Sequence, residues 1–299
     1  ESLFDLFGVF RYFKLDFGQV SVNFGQPISL EQFLSDRVDS DLERIEPDVH
    51  KAICRDLGHH IVKGINAAIP VNPTQILATL FVHAGCLEIP EEKLRRQFRF
   101  LVTLIDADQM SSIFDQPDAK IIDYFLSTSG AERQLREGES VITITTGGLI
   151  DMRYYSSSVA HLFVLPSLVA NRIRQGSMIG IESLADEIHA LAPLLDAIYF
   201  CELAPNTERL IQILEIFDFK PAVDATNLTP DLGPIAQIIA PHLHRIALVC
   251  ALLDIQPNLL DDLMPMNARL KALTSKTTAF NPEDLIVTEQ LIQALSQPQ

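Results

Sequence analysis

The sequence predicts a mostly α protein, a multi-helix domain with one β-hairpin, preceded by a strand-helix remnant of an α/β domain. Three observations carry that class. Apolar residues recur at spacings of three and four through most of the chain, which is the helical period. The alternating period of a half-buried strand shows only near residues 18–30 and 141–152. Hydrophobic residues make up 47% of 299 positions, enough for at least one sizeable core and too many for a disordered chain.

Lys plus Arg number 23 against 39 Asp plus Glu, a formal charge of −16. A surface so acidic repels nucleic-acid backbones and anionic headgroups, so nucleic acid is not an expected partner. Cys54, Cys86, Cys201 and Cys250 are widely spaced and form no C-x-x-C pair, reading as core thiols in a reducing compartment. The longest apolar run, Val159 to Ala170, is interrupted by His161 and Pro166 and falls short of a membrane span. No signal peptide is visible. The chain opens at Glu1 directly into an apolar pattern and reads as a piece of a longer protein.

Val20, Val22 and Phe24 alternate with polar neighbours and predict a strand, ended by Gly25 and Pro27. Ser29 then caps a short helix beginning L-E-Q-F-L. A lone strand needs a partner, and nothing upstream in the chain offers one, so residues 1–38 are expected to be the trailing edge of a domain that continues elsewhere. Residues 39–299 are expected to form the helical domain. Val49, Ile53, Leu57, Ile61 and Ile65 give one apolar stripe on a helix that stops before Pro70. Pro73 and Thr74 open the next helix, to Ala84, and Pro90, Glu91 and Glu92 start a third with Leu94, Phe98, Leu101 and Ile105 buried. A fourth covers Ile121 to Leu126.

Between 140 and 153 the period changes, and Val141, Ile142, Ile144, Leu149, Ile150 and Met152 read as a hairpin around a T-G-G turn. Tyr155 to Gln175 reads as one helix, and Ile181, Leu184, Ile188, Leu191, Leu195 and Ile198 as another, kinked or interrupted near Pro193. Further helices are expected at Thr207 to Phe217, Pro234 to Leu253, Asn258 to Leu273 and Pro282 to Leu295, with Phe219 to Pro230 as a linker.

The usual catalytic strings, G-x-S-x-G, G-x-x-x-x-G-K, G-x-G-x-x-G and H-E-x-x-H, are missing. Acyl transfer to a hydroxyl often pairs a histidine base with an Asp five residues later. Five residues after His50, His59, His60, His83, His161, His189, His242 and His244 stand Arg55, Gly64, Ile65, Glu88, Pro166, Leu194, Ala247 and Val249. None is Asp, and the His83-Glu88 pair straddles Gly85 at an expected helix end. His59-His60 and His242-x-His244 lack the third ligand a zinc site needs. Lys93, Arg95, Arg96 and Arg99 follow Glu91 and Glu92 at ion-pair spacing and read as a self-neutralised face. Tyr155 and His161 read as members of a buried hydrogen-bond network. No catalytic, cofactor-binding or metal-binding residue is therefore assigned, and no cofactor is expected.

The string V-N-F-G-Q-P-I-S-L over 22–30, then the hairpin, then M-R-Y-Y-S-S-S-V-A-H-L-F-V-L-P-S-L over 152–168, resembles the C-terminal part of the bacterial membrane-bound glycerol-3-phosphate acyltransferases. Mitochondrial and dihydroxyacetone-phosphate acyltransferases are more distant matches. The resemblance implies a fold in which residues 1–38 end an α/β acyltransferase domain. It also implies transfer of a fatty acyl group from acyl-CoA or acyl carrier protein to glycerol 3-phosphate, toward phosphatidic acid. The base and the phosphate-holding residues of that family lie upstream of a strand like Gln19 to Phe24, so this segment is expected to be supporting and the substrates to bind through the absent catalytic part. A membrane-associated enzyme facing the cytoplasm is implied in the same way. Gln26 stands where the family often has Glu, and Ser156-Ser157-Ser158 where a basic residue followed by Asn is expected. The alternatives are a dihydroxyacetone-phosphate acyltransferase or a non-enzymatic helical interaction module.

Overall fold

The computed structural model describes residues 21–35, 37, 46–174, 180–203, 207–219 and 231–243. Their secondary structure is mostly α-helical with one small antiparallel sheet, as the periodicity predicts. The chain divides into two compact units. The first takes its described residues up to Phe24 and from Ala68 to Val159, the second those from Gly25 to Ala67 and from Ala160 onward.

In the second unit α1 (Leu30–Ser35) is preceded by Ser29, whose Oγ accepts from the Gln32 amide at 3.3 Å, the cap the sequence predicts. Then comes α2 (Pro47–Ala68). Residues Ser21 to Ser29 form no strand, and Val22 and Phe24 are 70% and 93% exposed, which corrects the expected half-buried strand over its described part. The alternation is present, but no neighbouring strand pairs with it among the described residues.

The first unit is built around α3 (Pro73–Ala84). Asn72 caps it through a reciprocal capping box with Gln75, Pro73 sits in its first turn, and Gly85 (φ 64°) closes it in the left-handed region. Ile76, Leu77, Ala78, Leu80 and Phe81 are at most 1% exposed, so α3 is apolar nearly all round and lies in the core. Around it come β1 (Glu88–Pro90), α4 (Glu91–Val102), α5 (Asp118–Ser129), β2 (Glu132–Arg136), β3 (Glu139–Thr143) and α6 (Thr146–Val159). Phe81 stacks on Phe125 of α5 at 6.1 Å. The sheet order is β1-β3-β2, with both pairings antiparallel.

The hairpin exists one step earlier than the sequence predicts. Arg136 pairs with Glu139, leaving Glu137 and Gly138 as a two-residue loop with φ 51° and 88°. Positive φ at both positions is the geometry of a type I′ turn, whose twist suits a hairpin. The T-G-G string is instead a helix start. Thr145 Oγ1 accepts from the Gly148 amide at 3.0 Å, and residues 146–159 are helical.

The chain leaves α6 through a 3-10 turn (Ala160–Phe163) into α7 (Val164–Arg174), so the single helix expected from Tyr155 to Gln175 is broken. In the second unit α8 (Ile181–Tyr199) runs through Pro193, which is exposed, and ends at Phe200 in the left-handed region. α9 (Thr207–Ile216) and α10 (Gly233–Gln237) complete the described elements. Buried Ser167 of α7 donates to the Ile235 carbonyl at 2.6 Å, and Asn171 donates to that of Ala236 at 2.7 Å, clamping α10 to α7. The helices expected beyond residue 243, and the linker from 220 to 230, lie outside the described residues.

Candidate functional site

The described residues gather two polar clusters, one in each unit. In the first, Glu91 opens α4 and is buried. Its Oε1 accepts from Arg95 at 2.8 Å and Arg133 at 3.2 Å, and its Oε2 from Arg133 at 2.8 Å and Ser140 at 2.6 Å. Arg133 also meets Asp123 at 2.9 Å. Burial opposes ionisation of Glu91, but the hydrogen bonds from Arg133 and Ser140, the Arg133 charge and the Arg95 bond outweigh it. The carboxyl is held below its ordinary value, and the hydrogen bond to Glu91 raises Arg133 against its own burial. The basic face foreseen on this helix is thus partly buried. Glu91 pairs with Arg95 as its spacing predicts, and the hairpin supplies the rest. Arg99 pairs with Asp118.

In the second unit α2 brings His59, Lys63 and Asn66 to the C-terminal turn of α8. Asp196 Oδ2 accepts from Lys63 at 2.8 Å and lies 3.2 Å from His59 Nε2. The His59 ring tilts against Phe200 at 4.8 Å. Asn66 donates to the carbonyls of Tyr199 and Phe200, satisfying groups a helix end leaves open. A carboxylate in a last helical turn faces the negative end of the helix dipole, and the Lys63 ammonium of α2 offsets that. The nearby Cys201 thiol is pushed up to about 12 by burial and then by Asp196, with Lys63 acting the other way. It is a protonated, unreactive thiol at neutral pH.

Each described histidine has a local role. His50 lies 3.9 Å from Cys54, and His60 packs its ring near Phe33 at 5.9 Å. His83 meets Ser156 at 3.3 Å, and His189 bonds the Ala185 carbonyl. His161 reaches the Asn66 carbonyl at 3.0 Å, and His242 the Tyr199 hydroxyl at 2.5 Å. His244 lies outside the described residues. His161 has a partner but is half-buried, and Tyr155 is half-buried with its ring edge-on to Tyr154, so the expected buried network of the two is not seen among the described residues. Cys54 is exposed and Cys86 and Cys201 half-buried, so these three are free thiols without the full burial expected of them. Among the described residues no group of three or more His, Cys, Asp or Glu is placed to hold a metal ion.

Asp196 is the partner that a search five residues downstream of His59 misses, because 137 residues separate the pair. The only signal for it is the α2 polar face, which the sequence does not connect to α8. The Ser156–Ser158 run acquires a structural use within the first unit. Ser156 meets His83, and Ser158 accepts from Gln75 at 2.9 Å, so both tie α6 to α3. The two clusters hold elements together through saturated or charge-balanced contacts.

The family model described as the glycerol-3-phosphate acyltransferase C-terminal region matches residues 1–277. Curated relatives named glycerol-3-phosphate acyltransferase include one from Pseudomonas putida, 30% identical over 223 residues that cover 72% of this chain and 27% of the relative. One from Pseudomonas syringae pv. tomato is 29% identical over 208 residues, covering 67% and 25%. The chain thus spans about a quarter of the length of the curated relatives it matches. With a family match across nearly all of its length, this chain belongs to the glycerol-3-phosphate acyltransferase C-terminal region family.

Proposed function

We propose that this chain is the C-terminal, supporting part of a glycerol-3-phosphate 1-O-acyltransferase. In the reaction the 1-hydroxyl oxygen of glycerol 3-phosphate forms an ester bond to the acyl carbon. The C–S bond of an acyl-CoA or acyl carrier protein thioester breaks, and the hydroxyl proton is passed through a base to the released thiol. The observation that supports this reading is the family match over residues 1–277, together with the names of the relatives. On this reading the base and the phosphate-holding groups belong to the upstream part of the protein. The clusters at Glu91 and Asp196 hold a scaffold.

In the same proposal residues 1–38 end the acyltransferase α/β domain and residues 39–299 form the helical domain. The exposed alternation of Val22 and Phe24 supports that division, since apolar side chains at 70% and 93% exposure suit a strand paired elsewhere in the full protein. The full enzyme associates with the membrane and faces the cytoplasm. No helix among the described residues is long and apolar enough to cross a membrane, so on this proposal attachment lies with other parts or surfaces of the enzyme.

The test is acyl transfer by the full-length protein, with acyl-CoA and acyl carrier protein as donors and glycerol 3-phosphate and dihydroxyacetone phosphate as acceptors. The proposal expects turnover with glycerol 3-phosphate and none from residues 1–299 alone. Turnover only with dihydroxyacetone phosphate would reassign the acceptor, and no turnover with any pair would leave a non-enzymatic helical module.

A further inference from the structure

The 22-residue helix α2 carries a polar face and an apolar stripe, and its one buried residue is Ile53. Its contacts to α8 come from its polar side, through His59, Lys63 and Asn66. At about 100° per residue, Ile61 and Ile65 stand about 150° round the helix from that polar face. They are 42% and 57% exposed. Cys54, also exposed, falls on the same side. A strict four-residue repeat advances about 40° per step, so the stripe from Val49 to Ile65 winds round the helix. Ile53 is buried and Leu57 half-buried, while Val49, Ile61 and Ile65 are uncovered.

A helix that meets α8 through half-buried polar side chains and leaves Ile61 and Ile65 open wastes that hydrophobic surface unless another surface covers it. The open residues are concentrated in sequence as well. Of the twelve large hydrophobics exposed among the described residues, seven lie between Val22 and Ile65. Nearly three quarters of the length of the Pseudomonas putida relative has no counterpart in this chain, and the family model matched is that of a C-terminal region.

We infer that the Ile61–Ile65 face of α2 is the docking surface for the upstream region of the same full-length protein. This rests on the reading of the chain as the C-terminal part of a longer acyltransferase, and it names the face that joins the parts. Two aliphatic side chains beside a small thiol form a shallow apolar ridge, which fits an apolar groove or helix face better than a charged surface.

The experiment places a benzophenone amino acid at position 61, and separately at position 65, of the full-length protein, and maps the photo-adducts by mass spectrometry. Adducts with sequence upstream of Glu1 are expected at both positions. Adducts confined to residues 1–299, to a second copy distinguished by isotope labelling, or to lipid would overturn the inference. A second measurement needs no substitution. Maleimide labelling of Cys54 should be at least tenfold slower in the folded full-length protein than after unfolding in urea, and equal rates would contradict docking. Acyl transfer is measured on the same preparations. Turnover without upstream adducts would sink the docking face alone, and upstream adducts without turnover would sink the enzymatic reading alone.

Discussion

In the first unit the Glu91 carboxylate accepts four hydrogen bonds from Arg95, Arg133 and Ser140, so both oxygens are occupied. In the second unit Asp196 meets Lys63 and His59 through Oδ2 alone, and its Oδ1 is buried without a hydrogen-bond partner among the described residues. The difference follows from the elements that supply the partners. Around Glu91 they come from a helix and from adjacent strands in fixed register, which present donors from two sides. Around Asp196 they come from successive turns of one helix face, and therefore from one direction. A saturated carboxylate fixes a unit, while a half-saturated one leaves its neighbours adjustable.

The largest effect expected from this contrast is at Cys201. With its thiol pushed up to about 12, alkylation at pH 8 in the folded full-length protein should run roughly a hundredfold slower than after unfolding. Asp196→Asn should speed it and Lys63→Met should slow it further, and insensitivity to both would detach the thiol from the cluster. A pKa raised from 9.0 on folding contributes stability that is full below pH 9 and is lost as pH rises toward 12.

Next in size is Glu91→Gln, which removes the charge that Arg133 faces and should cost about 2–3 kcal/mol. Faster hydrogen exchange across residues 88–143 checks it. The Glu91 carboxyl lies below its ordinary 4.5 in the folded state, so its contribution is present above pH 4.5 and lost as pH falls through the lower folded value. The variant should lack that acid step. Asp196→Asn, at a site 26% exposed and only half satisfied, should cost about 1 kcal/mol, read as faster exchange in α2 and the end of α8. The smallest effect is a gain. Glu137 holds φ 51° in the hairpin loop, and Glu137→Asn should stabilise the first unit by about 0.5 kcal/mol in denaturant melts.

The helices were legible where the sequence carries both a period and a cap. Pro73 marks the start of α3 and Pro90-Glu91-Glu92 that of α4, although α4 ends at Val102, short of the Ile105 counted on its face. The hairpin was legible as a change of period but misplaced. β2 reads E-R-Q-L-R, an edge strand with Leu135 76% exposed and no apolar alternation, while the adjoining glycines imitate a turn that is really a helix start. The polar clusters were illegible apart from Glu91–Arg95. Glu91 finds Arg133 42 residues away, and His59 finds Asp196 137 residues away, separations over which local periodicity says nothing.

The His59–Asp196 pair has the imidazole-carboxylate pairing that a general base uses, and here it is assigned to holding α2 on α8. The direct test is His59→Ala in the full-length protein, measuring the melting temperature and the turnover of glycerol 3-phosphate per folded molecule. A scaffold role predicts a lower melting temperature with turnover per folded molecule within about twofold of the parent. An unchanged melting temperature with a loss of about a hundredfold or more in turnover would contradict it, moving catalytic chemistry into this region.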